Sequence, residues 1–289
     1  MRNSFIFYLV NLAGLISIIS SCTETINIEL DRSYSKLTVF GEISTDTAVH
    51  IIRLTRSADY FYNQTAQGVP GADVKIRFDN EVIQLYENTM NAGTYETPPG
   101  FYGIPGKIYS LFIQNVDINN DGIEESYSAS SYLPFLASPD SIKIKYVKYP
   151  FFKGSEILLY ARDPAETIDF YAFKVARNGV LQTDSLSEII VQNDILFNGN
   201  YTNGISVQYL DDSKDGEKVF MGDTITFEMY GLTLEYYNFI IQAQTELRGS
   251  NPLFSGTPSN LTTNLSDDAL GFFAAVNIKR ATAVAPSKE

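Results

Sequence analysis

From Leu37 onward, apolar and polar residues alternate in short runs separated by turn residues, the two-residue period of strands with one wet face. Leu37, Val39 and Ile43 share a phase, and Val49 to Leu54 follows. A turn cluster over Gly68 to Gly71 comes next, and then Val74-Lys75-Ile76-Arg77-Phe78-Asp79 alternates cleanly, with Val82 to Tyr86 as its hairpin partner. Tyr95, the turn at Pro98-Pro99-Gly100, and the run Tyr109 to Ile113 complete a first set of strands.

The segment Pro134 to Pro139 interrupts this pattern, because prolines bracket it and strand periodicity restarts at Ile142-Lys143-Ile144-Lys145-Tyr146. A second set follows at Glu156 to Ala161, Tyr171 to Val175, Ile205 to Tyr209 and Thr224 to Met229, with Asn178-Gly179 and Asp215-Gly216 supplying tight turns. One stretch changes period. Thr233 can cap a helix with Glu235 in its first turn, a stripe of Tyr236, Ile240, Ala243 and Leu247, and an end at Arg248-Gly249. Residues 250–266 then read as a long Pro/Asn/Thr-rich loop before a last strand from Leu270 to about Ile278. The expected fold is all-β: two consecutive immunoglobulin-like or transthyretin-like β-sandwich modules, residues 36–136 and 137–283, with one α-helix, 233–248, near the C-terminal end of the second, and a polar tail over 284–289.

The first 35 residues follow other rules. Arg2, the apolar stretch Phe5 to Ile19 and the small residues Ser20-Ser21 precede Cys22, the only cysteine, in the pattern of a lipoprotein leader over residues 1–21. The stretch is too short to span a bilayer. Cys22 is therefore the expected lipid-attachment residue, the membrane is a partner through that anchor, and residues 22–35 form a tether. With Cys22 consumed, no internal disulfide can form and burial alone must hold the fold.

The chain carries 21 Lys+Arg against 34 Asp+Glu, a net charge of −13 that becomes −14 once Arg2 leaves with the leader. Such a surface repels phosphate backbones, so nucleic acid is excluded as a partner. His50 is the only histidine, which removes histidine-based triads and two-histidine zinc sites. Carboxylates are plentiful, but no spacing nominates a catalytic pair.

One motif has metal-ligand spacing: Asp117, Asn119, Asp121, the Ile123 carbonyl and Glu125 place oxygen donors at alternate positions around Gly122. The twelfth position is Ser128 where a bidentate glutamate belongs. Two readings stand: a weak calcium loop, or an acidic hairpin turn whose Asp and Asn satisfy their own backbone, and the missing ligand favours the turn. No other cofactor is required. The similar run Asp211 to Glu217 contains Lys214, which would compete with a cation, and reads as a hairpin. Tyr60-Phe61-Tyr62, in a turn-rich stretch, is a candidate ligand or partner contact, whereas Tyr236-Tyr237 reads as core.

Several landmarks in order resemble a family of Bacteroidetes outer-membrane lipoproteins catalogued as domain of unknown function 4249: Cys22, Gly41-Glu42-Ile43, Ala72-Asp73-Val74, Gly93-Thr94-Tyr95, Gly106 to Leu111, Gly222-Asp223-Thr224, Asn251-Pro252, Asn264 and Leu270-Gly271-Phe272-Phe273. Ala72 to Ile113 is also similar to the small carboxypeptidase-regulatory or transthyretin-like sandwiches. The first resemblance implies a lipid-anchored cell-envelope protein, often encoded beside a TonB-dependent outer-membrane transporter. Asp46-Thr47-Ala48 and Asp184-Ser185-Leu186 resemble the O-glycosylation signal of exported Bacteroidetes proteins, which nominates Thr47 and Ser185. Bacteroidetes surface export resembles a rule of acidic residues just after the cysteine, of which Thr23-Glu24-Thr25 offers one, and the cell surface is favoured over the periplasmic face. The expected function is a non-catalytic, outer-membrane-anchored lipoprotein that captures ligand for, or docks on, such a transporter. A structural or adhesive envelope protein is the alternative, with a carboxylate-dependent glycosidase behind it.

Overall fold

The computed structural model describes residues 35–57, 66–183, 185–248 and 261–287. Cys22, Tyr60, Phe61, Tyr62 and Asp184 lie outside them. The strands are β1 (Leu37–Ser44), β2 (Ile51–Arg56), β3 (Asp73–Phe78), β4 (Glu81–Gln84), β5 (Tyr86–Glu87), β6 (Thr94–Glu96), β7 (Ile108–Val116) and β8 (Glu125–Tyr132). After the proline-bracketed segment come β9 (Ser141–Tyr149), β10 (Phe152–Tyr160), β11 (Phe170–Arg177), β12 (Val180–Leu181), β13 (Ile190–Asn193), β14 (Ile205–Asp211) and β15 (Thr224–Leu232). The helix α1 (Leu234–Leu247) precedes the long strand β16 (Leu270–Val284).

A nine-stranded sheet in the order β12-β11-β15-β16-β1-β2-β6-β5, with β13 also on β11, forms the backbone of the fold. A four-stranded sheet, β4-β3-β7-β8, shares a core with its β1, β2 and β6 side, and a three-stranded sheet, β14-β10-β9, shares a second core with its β11 and β15 side. The sandwiches follow from the alternation: Val74 and Ile76, or Tyr109, Leu111 and Ile113, bury every second residue.

The expected division into consecutive modules differs from the structure at one strand. β16 pairs with both halves: Leu270 to Val276 lie parallel to Thr38–Ser44 of β1, and Asn277 to Val284 lie antiparallel to β15. Its odd-numbered residues supply both cores in turn, with Phe273 and Ala275 in the first and Ala281 and Ala283 against the second, which Ala285 completes. The described residues from Ser35 onward accordingly form one compact unit. Asn277, buried at the handover, donates from Nδ2 to the Pro134 carbonyl at 3.0 Å, and the Ile278 N–H donates to Thr45 Oγ1 at 2.9 Å.

The even-numbered residues Phe272, Ala274, Val276 and Ile278 face α1. Thr233 caps that helix, its Oγ1 accepting from the Tyr236 N–H at 3.2 Å, and Tyr236 stacks on Phe272 with ring centroids 5.1 Å apart. Leu247 is exposed instead of buried. Gln244 takes the inward place because its Nε2 can donate to the Leu186 and Ile189 carbonyls at 2.8 and 2.7 Å. The run Asp211 to Glu217 is a turn but no hairpin: Lys214 reaches Glu217 at 2.9 Å, and the next strand, β15, pairs with β11 rather than β14.

Beyond the helix the same sheet face carries a charged network. Arg280 grips Asp46 through both carboxylate oxygens, at 2.7 and 2.6 Å, and donates from Nε to Glu228 at 2.6 Å. Glu42 lies beside it, with the Tyr236 hydroxyl at 3.4 Å. Burial raises the Glu42 carboxyl above its ordinary 4.5, and the neighbouring charges of Glu228 and Asp46 add to this against the opposing pull of Lys174 and the Tyr236 hydroxyl. The folded chain thus retains a proton that the unfolded chain releases, so this group lowers stability as pH rises from 4.5 through its folded value. Glu42→Gln is therefore expected to melt higher than the parent at pH 7, with the gap closing as pH falls toward 4.5, a trend thermal scans at stepped pH would reveal.

Candidate functional site

Where the Pro134–Ala137 segment crosses from one half to the other, the surface opens into a cleft of about 790 Å³. Its floor is Leu232 and Asn277 with Lys279, from β15 and β16. One wall is Tyr132, Pro134, Phe135 and Leu136; the facing wall is Pro164, Thr167, Ile168, Asp169 and Phe170. The start of α1, Leu234 and Glu235, closes an end. Phe135 and Ile168 are exposed, and the Phe135 ring covers Gly106, where a Cβ would stand 2.8 Å from it. The volume and apolar lining, with few polar groups, match small-ligand sites. Lys279 and Glu235 make no ion pair among the described residues, so both charges are free to meet a guest.

Asp169 of the facing wall stands in a group with Asp163 and Asp194, each offering a carboxylate oxygen within 4.8 Å of the others. Asp163 follows β10, Asp169 precedes β11, and Asp194 follows β13. The loops are laced through these residues: the Asp169 N–H donates to Asp194 Oδ2 at 2.8 Å, the Asp194 N–H to the Asp169 carbonyl at 3.1 Å, and the Gly199 N–H to Asp163 Oδ2 at 3.2 Å. The Tyr171 hydroxyl donates to Asp163 Oδ1 and the Thr167 hydroxyl to Asp169 Oδ2. Burial pushes the carboxyls of Asp163 and Asp169 up; Tyr171 and Gly199 oppose it at Asp163, Thr167 opposes it at Asp169, and the like charge of Asp194 reinforces it at both.

The described residues nominated from sequence lie elsewhere. In the 117–125 loop, Asp117 accepts from the Asp121 and Gly122 N–H groups at 3.1 and 3.0 Å, Asp121 from the Ile123 N–H at 2.8 Å, and Glu125 from the Ile118 N–H at 3.0 Å. Its side chains are thus engaged with their own backbone, and Asn119 Nδ2 donates to Asp121 at 3.0 Å. Among the described residues the one grouping of three acidic ligands is the Asp163 set. Thr47 is exposed in a bend, while Ser185 is partly buried and 3.0 Å from the Ser187 hydroxyl. His50 is buried, with Nδ1 accepting from the Ser44 N–H at 3.3 Å and Nε2 3.2 Å from the Asp46 carbonyl, and burial lowers its pKa. No spacing in the sequence foretold the aspartate group, since its members are drawn together by strand pairing.

Among the described residues, strands, sandwiched cores and one helix define an all-β sandwich protein. The family model described as Domain of unknown function (DUF4249) matches residues 23–282, and the chain belongs to that family. No curated protein matches it.

Proposed function

We propose that this is a non-catalytic lipoprotein, held at the outer membrane by acyl chains on Cys22, that captures a ligand in the 790 Å³ cleft as accessory to a TonB-dependent transporter. The cleft carries the reading: its apolar walls suit a hydrophobic body, and Lys279 at its floor suits one anionic group. The leader, Cys22 and the resemblance to outer-membrane lipoproteins support the anchoring and the partner. Confinement to one membrane keeps a weak contact between lipoprotein and barrel occupied.

Anilinonaphthalene sulfonate, an aromatic anion, is expected to bind the cleft saturably, and Phe135→Asp or Ile168→Asp, both at exposed positions, to weaken it about tenfold, or about 1.4 kcal/mol. Fluorescence titration that finds no saturable site, or no loss in either variant, would remove the cleft from the reading. A pull-down from solubilised outer membranes is expected to recover a β-barrel, and its failure would remove the transporter.

A structural or adhesive role has its own supporting feature. At the β9–β10 tip, Phe151 is fully exposed beside Tyr149, and Lys148, Lys153 and Lys218 line a groove there with Asp211 and Asp212. Normal growth with lost surface attachment after deletion would favour that role.

A further inference from the structure

We propose that Asp163, Asp169 and Asp194 together bind a calcium ion. Asp163 is 5% exposed and Asp194 is 0% exposed, so two of the three carboxylates are cut off from water. Asp194 Oδ1 is buried and has no hydrogen-bond partner, although Oδ2 of the same carboxylate is satisfied by the Asp169 N–H. A buried carboxylate oxygen left without a donor, in a group whose other members are also acids, lacks a positive charge. The protein supplies none: no ion pair among the described residues includes any of the three. Every donor that reaches them is neutral, namely the Tyr171 and Thr167 hydroxyls and the Gly199 and Asp169 N–H groups.

The spacing and the donor type fit calcium. Ligand oxygens around one calcium, each roughly 2.3–2.6 Å from it, are separated by at most about 5 Å, and the three aspartates meet that limit at 4.8 Å. Magnesium, at about 2.0–2.1 Å, spans less and keeps more of its water. A set of oxygens alone, with no sulfur or imidazole, argues against zinc. The bound ion would join the β10–β11 loop to the end of β13 and so hold the cleft wall formed by Thr167, Ile168 and Asp169. This site and its test do not depend on what the cleft binds.

The test is calorimetry and thermal melting of the full chain in detergent, stripped with chelator and titrated with calcium chloride. Calcium is expected to bind with a dissociation constant on the order of 10⁻⁴ M, as in extracellular modules, and to raise the melting temperature. Asp194→Asn and Asp163→Asn, which keep side-chain size, are each expected to weaken binding by more than about tenfold through lost ligand charge. The apo form of Asp194→Asn is further expected to melt above the apo parent, because a buried charge has been removed. Asp121→Asn, in the 117–125 loop, is expected to leave the calcium response intact. The proposal is overturned if calcium produces neither heat nor a thermal shift, or if Asp121→Asn abolishes the response while Asp194→Asn retains it. A melting temperature indifferent to calcium but raised by mild acid would also overturn it, by showing that protons neutralise the group.

Discussion

Phe273→Ala is expected to cost about 3–5 kcal/mol and to bring down the whole fold in one step. The side chain is fully buried in the first core, where no solvent can fill the space it leaves. Against a typical total of about 5–15 kcal/mol, that loss leaves a marginal protein. The manner of unfolding is the sharper readout. Phe273 sits on the strand that both halves share, so urea denaturation followed by circular dichroism should show a single transition in parent and variant, shifted in midpoint. Two separated transitions, with only the first displaced, would mean that the halves are independent modules and that β16 does not couple them.

Gly271→Ala is expected to be of similar severity, at about 2–6 kcal/mol, for a different reason. Gly271 has φ +97°, a region closed to most side chains, and an added Cβ would stand 2.0 Å from the Val39 carbonyl oxygen. That oxygen belongs to β1, the parallel partner, so the methyl group can be housed only by prising the pair apart. Differential scanning calorimetry on the purified variant would measure the loss, and a variant as stable as its parent would contradict the pairing of β1 with β16.

Much of the fold was legible because burial on one face imposes a two-residue period. Val74 with Ile76, and Leu37 with Val39, announced their strands, and Thr233 with Tyr236, Ile240 and Ala243 announced the helix. β8 gave no such signal: its buried positions are Tyr127, Ala129 and Ser131, and one tyrosine followed by an alanine and a serine gives little contrast against the serines between them. The end of β16 was hidden in the same way, since Ala281 and Ala283 alternate with polar residues too weakly to separate strand from tail. Which strands would be neighbours was not legible at all, because Thr38 meets Leu270 through chain closure and not through any local pattern.

The candidate surfaces divide along the same line. Pro134 to Pro139 stood out as a break in periodicity, and that break became one wall of the cleft; its facing wall, Pro164 to Phe170, carried no comparable mark. The acidic run from Asp117 to Glu125 was conspicuous because its oxygens alternate within nine residues, yet those oxygens answer to their own backbone. Asp163 and Asp169 share one loop, but Asp194 lies 25 residues beyond Asp169, and the pairing of β11 with β13 is what brings it within reach of the same ion.

β16 lies far downstream of β1 in the chain, which also constrains the order of assembly. A polypeptide emerging from the ribosome would present β1 long before Leu270 to Val276 exist to lie against it, so the first core would stay open to water throughout elongation. Nascent chains stalled ahead of residue 270 should therefore be protease-sensitive across the strands of the first core, and those released beyond residue 285 should become resistant there all at once.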